Sequence, residues 1–203
     1  MSGDGLEIEV KFLIEDLATI RRRLERAGGT LKKPRIYERN VRFDTPWESL
    51  LLQGKLLRLR QDTVARITFK GEPEEMDPSE VRIREEIEME VEDFDTAVAI
   101  LEKVGFIQRQ VYEKYRETFL LDRVEVVLDE MPFGQFVELE GSEQSIRSAA
   151  DKLGLDWDKR ILSNYLALMA QLKTAKNLPF DDLTFEKFAG TEATMGDLLA
   201  YGG

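Results

Sequence analysis

Strict alternation of polar and apolar positions dominates the first 140 residues. Over residues 6–14, Glu7, Glu9, Lys11 and Leu13 share one face while Ile8, Val10, Phe12 and Ile14 share the other. Over 81–91, Arg82, Arg84, Glu86, Glu88 and Glu90 oppose Val81, Ile83, Glu85, Ile87, Met89 and Val91. Side chains two apart on a strand point the same way, so each segment predicts a strand with one face to bury and one ionic face. Similar stretches at 55–61, 65–70, 111–121, 124–129 and 135–140 predict five more strands.

Helical spacing follows three of these strands. Leu17, Ile20, Leu24 and Ala27 are opened by Asp16 and closed at Gly28; Ala97, Val98, Leu101 and Val104 are closed at Gly105; Ile146, Ala149 and Leu153 are opened by Ser142 and closed at Gly154. Asp and Ser can cap the first amides of a helix, and Gly permits the left-handed turn after the last. A fourth helix is predicted over 161–173. Hairpin-connected strands interrupted by occasional helices define an α+β class rather than a parallel sheet. Periodicity fades after Ala175, which divides the chain into a main domain at 1–175 and a C-terminal acidic appendage at 176–203.

Composition removes whole classes of chemistry. The 203 residues contain no Cys and no His, which excludes disulfides, thiol nucleophiles, imidazole bases and any His- or Cys-ligated metal. A metal here is held by oxygen, which favours hard divalent cations such as Mg2+ or Mn2+. The N-terminal MSGDGLEIEV lacks the basic start of a secretory signal, and no apolar run approaches membrane-spanning length. A cytoplasmic protein is the expectation.

The formal net charge of -11 argues at first against a polyanionic partner. Its location changes that conclusion. The loop 71–80 contributes -5 and the tail 178–203 contributes -4, so the strands and helices between them are close to neutral. The polar strand faces are almost wholly ionic, with Thr68 and Thr118 as rare exceptions, and the signs are segregated. Glu7 with Glu9, Glu86 with Glu88, and Asp129, Glu138 and Glu140 form acidic sets; Arg58, Arg60, Lys70, Lys114 and Arg116 form basic ones. Like charges about 7 Å apart on one strand face repel unless a counterion lies between them. A sheet curled with these faces inward forms a wet tunnel whose acids suit divalent metal and whose Arg and Lys suit phosphate.

The order of these segments resembles the CYTH family, named for CyaB adenylate cyclases and thiamine triphosphatases and also called triphosphate tunnel metalloenzymes. EIEVK carries the E-x-E-x-K signature at Glu7, Glu9 and Lys11. VRFDTPWESLLLQGKLLRLR, ITFK, VRIREEIEME, KYRETFLLDRVEVVLDEMPFGQFVELEG and SNYLALM follow in the family's order. The resemblance implies an eight-stranded antiparallel β-barrel tunnel with a charged interior and helices packed outside. It implies metal-binding carboxylates at Glu7, Glu9, Asp129, Glu138 and Glu140, and a phosphate grip from Lys11, Arg58, Arg60, Lys70, Arg84, Lys114 and Arg116. Glu7, Glu9, Lys11, Arg58 and Arg60 would be catalytic, Glu88 or Glu86 would join the substrate-binding lining, and Ser163 and Tyr165 would support it. The expected activity is metal-dependent hydrolysis of a small triphosphate. Alternatives are a class IV adenylate cyclase forming cyclic AMP and pyrophosphate, and a non-catalytic polyphosphate or nucleotide binder. The partner is then a small-molecule triphosphate rather than nucleic acid or membrane, with a homodimer left open.

Overall fold

The computed structural model describes residues 6–73 and 79–196; most of the acidic loop and the end of the tail lie outside them. The strands are β1 (Leu6–Ile14), β2 (Thr30–Asp44), β3 (Leu56–Gln61), β4 (Ala65–Gly71), β5 (Arg82–Val91), β6 (Ile107–Leu121), β7 (Val124–Met131) and β8 (Gly134–Glu140). They close into an antiparallel barrel in the order β1-β5-β4-β3-β2-β6-β7-β8. Seven of the eight correspond to the alternating segments. The eighth, β2, begins TLKKPR and carries register shifts against β6 between Leu31 and Ile36, so its first half has no clean period of two.

Helices α1 (Leu17–Arg26), α2 (Ser49–Leu52), α3 (Phe94–Lys103), α4 (Glu143–Leu153), α5 (Tyr165–Lys176) and α6 (Phe185–Phe188) interrupt or follow the strands. Asp16, Asp93 and Ser142 cap α1, α3 and α4 through their side chains, and Gly154 ends α4 at φ 62°. The fourth predicted helix starts later than residue 161. Ile161 instead exchanges both backbone hydrogen bonds with Lys11, at 3.2 and 2.8 Å, and Asn164 caps α5.

The apolar strand faces point outward, and three clusters cover them. Val10, Phe12, Val126, Leu128, Val137 and Leu139 pack beneath α1 and α4. Val41, Phe43 and Leu59 pack beneath Ala97 and Leu101 of α3. The third cluster joins α5 and the C-terminal segment to Tyr112, Met131, Phe133 and Phe136. Leu183 and Met195 are fully buried there, and Leu183 exchanges backbone hydrogen bonds with Val111 and Glu113 of β6 at 2.8 and 2.9 Å. Residues 178–196 are therefore packed against the barrel. No helix among the described residues is long and apolar enough to cross a membrane.

Candidate active site: the charged interior of the barrel

Directly paired residues of neighbouring strands project to the same side, so the register defines the lining. Glu9 faces Glu140 and Lys11 faces Glu138 across β1 and β8. Glu7 faces Arg84 and Glu9 faces Arg82 across β1 and β5. Thr68 faces both Glu88 and Arg58, Lys70 faces Glu86, and Arg60 faces Arg66. Arg60 also faces Asn40, Lys114 faces Glu38, and Arg116 faces Asp129. All fourteen strand residues singled out from the sequence stand on this inner face, while Ser163 precedes α5 and Tyr165 is its first residue.

The interior is a continuous ionic network with three dense regions. In the first, Asp129 is fully buried and accepts from Lys114 Nζ at 3.0 Å, Arg116 Nε at 2.7 Å and the Tyr165 hydroxyl at 3.0 Å. Arg116 also reaches Glu138, which lies 3.2 Å from Lys11; Lys11 in turn lies 2.7 Å from Glu9. Burial works against the Lys11 charge, but Glu138 and Glu9 outweigh it and hold the ammonium on. The same balance, with Asp129 and Glu138 as partners, raises Arg116.

The second region joins β2, β3, β4 and β5. Arg58 donates to the Tyr112 hydroxyl at 3.2 Å and to Thr68 Oγ1 at 3.1 Å. Arg60 donates to Glu88 at 3.0 Å, and Thr68 donates to the same carboxylate at 2.7 Å. Both Glu86 and Glu88 face inward, with Glu88 the more tightly held: Glu86 makes only longer contacts, to Lys70 at 3.4 Å and Arg58 at 3.9 Å.

The third region is acidic. Lys70 pairs with Glu7, while Glu140 has no cation within ion-pairing distance among the described residues. Burial and the neighbouring carboxylates of Glu7 and Glu125 push Glu140 up to about 7. Arg84 is spent differently. Its guanidinium donates to the backbone carbonyls of Gly71 at 2.9 Å and Gly54 at 2.7 Å, tying the end of β4 to the turn that precedes β3.

At one end the lining turns from ionic to apolar. Leu13 and Phe136, paired across β1 and β8, join Phe133, Tyr112 and Tyr165 in the cluster under α5. The Tyr165 ring lies 5.5 Å from Lys11 Nζ and 5.4 Å from Lys114 Nζ, so α5 seats a cation–π platform on the lysines. The barrel is thus closed by a helix on one side of the charged network.

Sequence reasoning missed Glu38, Asn40, Arg42, Arg66 and Tyr112 as lining residues. Glu38, Asn40 and Arg42 recur every second position opposite Arg39, Val41 and Phe43. That alternation was the available signal, obscured by Pro34 and the basic run before it.

The donor set suits an oxygen-ligated divalent cation. Around Glu140 negative charge is in surplus, and Glu9 stands directly opposite it. Asp129 and Glu138 each have two cations within 3.2 Å, whereas Glu9 has one at that distance, Lys11 at 2.7 Å. Among the described residues no three acidic groups form a ready-made chelate.

A closed antiparallel barrel that turns its charges inward and its apolar faces out to helices defines the class of this protein. The CYTH domain matches residues 5–159, and the chain belongs to the CYTH family. A Methanocaldococcus jannaschii protein provisionally named an adenylate cyclase is 29% identical over 143 residues, which is 70% of this chain and 79% of that one. A Vibrio parahaemolyticus structure with the same provisional name superposes with a TM-score of 0.71 at 21% identity, covering 81% of this chain and 98% of that chain. A Hippeastrum structure, described as a provisional adenylyl cyclase with a dominant triphosphatase activity, has a TM-score of 0.57 at 18% identity, covering 80% and 94%.

Proposed function

We propose that this protein is a divalent-metal-dependent triphosphatase acting on a small triphosphate inside the barrel. The observation that carries this reading is the convergence of Lys11, Lys114 and Arg116 on Asp129, Glu138 and Glu9, with Arg58 and Arg60 across the lumen. Membership of the CYTH family supports it, as does the triphosphatase activity described for the Hippeastrum protein.

Lys11, Lys114 and Arg116 are oriented by buried acids before any ligand arrives. Such preorganised donors stabilise developing charge on phosphoryl oxygens without reorganising at the moment of reaction. Arg58 and Arg60 grip the chain from the opposite wall, where a guanidinium can offer two parallel donors to phosphate. Glu7, Glu9 and Glu140 would hold the cation, which supplies charge neutralisation and acidifies an attacking water. Asp129 and Glu138 act as counter-charges that fix the lysine and arginine side chains. The closed apolar end beneath α5 limits water at one side of the network.

A cyclase reading has one observation of its own, the name of the 29% identical archaeal relative. The two are separated by incubating the protein with Mg2+ or Mn2+ and either inorganic triphosphate or ATP, then resolving the products. Orthophosphate is expected from a triphosphatase. Cyclic AMP and pyrophosphate without orthophosphate would establish the cyclase instead, and no product with either metal would overturn both.

A further inference from the structure

Asn40 lies on β2 with no exposed surface, and neither atom of its amide has a hydrogen-bond partner. Its cross-strand neighbours are Arg60 of β3 and Tyr112 of β6, which places it on the inner face. Two residues back, Glu38 is 2% exposed and its Oε2 makes no hydrogen bond. Its nearest cations, Lys114 and Arg60, stand at 3.7 and 3.8 Å. Arg58 and Arg60 each leave Nε unpaired. Of the seven buried unpaired side-chain atoms among the described residues, five belong to this one patch of wall. A buried polar atom that nothing pairs with is destabilising, so the patch is built to meet something.

The chemistry of the five atoms says what that is. Arg58 Nε, Arg60 Nε and Asn40 Nδ2 are donors, which phosphate oxygens can satisfy. Glu38 Oε2 and Asn40 Oδ1 are acceptors, and a bare ionised polyphosphate has nothing to give them. Exchanging the amide's oxygen and nitrogen changes nothing, because both are unpaired. We propose that Asn40, with Glu38 beside it, forms a recognition subsite for the non-phosphate part of an organic triphosphate, a group carrying donors as well as acceptors, as a nucleoside does. An amide side chain matches a donor–acceptor edge of a nucleobase through two hydrogen bonds, and a carboxylate accepts from hydroxyls or amino groups. Arg58 and Arg60, on the adjacent strand β3, would meet the phosphates while Asn40 and Glu38 meet the organic group.

This subsite rests on the reading of the lumen as a triphosphate site and narrows it to organic triphosphates. The test is calorimetric titration of wild type, Asn40→Leu and Asn40→Ala with a non-hydrolysable ATP analogue and, separately, with inorganic triphosphate, with thermal melting as a fold control. Nucleotide binding should weaken 5- to 150-fold in at least one folded variant, the equivalent of 1–3 kcal/mol, while inorganic triphosphate stays within about twofold. Equal losses for both ligands would reduce Asn40 to a structural part and overturn the proposal. So would unchanged binding of both, or a wild type that binds only inorganic triphosphate. A binding split in the variants, with wild type turning over neither ATP nor inorganic triphosphate in the presence of Mg2+ or Mn2+, would overturn the triphosphatase reading and leave this subsite standing.

Discussion

The Tyr165 hydroxyl, on the first residue of α5, donates to Asp129 Oδ2 at 3.0 Å. That single bond links the helix closing the barrel to the carboxylate that fixes Lys114 and Arg116. Removing the hydroxyl alone, as Tyr165→Phe, should cost about 1.5–3 kcal/mol of stability, the net worth of a hydrogen bond to a charged carboxylate. It should also lower kcat more than it raises KM, because the cations lose orientation rather than charge. Steady-state kinetics checks this; unchanged kcat would leave Tyr165 with a packing role only.

Asp129→Ala leaves two buried cations facing each other. Breaking a buried ion pair from one side typically costs 3–5 kcal/mol, so this variant should unfold at markedly lower urea concentration than wild type. A loss below about 1 kcal/mol would mean that solvent already screens the network.

Glu38 gives a pH prediction with a definite sign. Burial opposes its charge, but Lys114, Arg116, Arg60 and Arg58 outweigh burial and pull it from 4.5 to about 2. A depressed folded value means that its contribution is fully present above pH 4.5 and is lost as pH falls towards about 2. Glu38→Gln should therefore lose roughly 3 kcal/mol at pH 7 and show a flatter decline in stability across that acid window. Parallel acid limbs for the two proteins would contradict the assignment.

Leu183 is fully buried and anchors the C-terminal segment to β6. Leu183→Ala should cost about 2–5 kcal/mol, as truncation of a packed core side chain does. Chemical denaturation measures it directly; a cost under about 0.5 kcal/mol, typical of a surface site, would show the segment to be a loose appendage.

Much of the lining was legible because a strand's period of two sorts residues by face with no knowledge of topology. Glu7, Glu9 and Lys11 on β1, Arg58 and Arg60 on β3, and Glu138 and Glu140 on β8 are cases where alternation alone places the charge. Three things escaped it. In β2 the KKPR run and the register shifts break the period, which hid Glu38 and Asn40. Arg84 has the right parity, yet its guanidinium goes to the carbonyls of Gly54 and Gly71, and no sequence pattern reports a side chain's choice of backbone acceptor. The closed end depends on Phe180, Leu183, Phe188 and Met195, whose spacing fits neither helix nor strand because the segment is irregular apart from the single turn of α6 that carries Phe188.

The net charge of -11 also reads differently on the structure. Acid is not spread evenly over the molecule, since Glu9, Asp129 and Glu138 are matched inside the barrel by Lys11, Lys114 and Arg116. A polyanion entering the lumen meets fixed cations whose counter-charges are already in place.

The central claim is that these cations act on a triphosphate in the presence of a divalent metal. The most direct test is orthophosphate release from triphosphate with Mg2+ or Mn2+, for wild type and for Arg60→Ala. Wild type should release orthophosphate, and Arg60→Ala should be slower by roughly 10²–10³-fold, as for loss of one preorganised donor. Full turnover in the variant, or no release by wild type with either metal, would contradict the account.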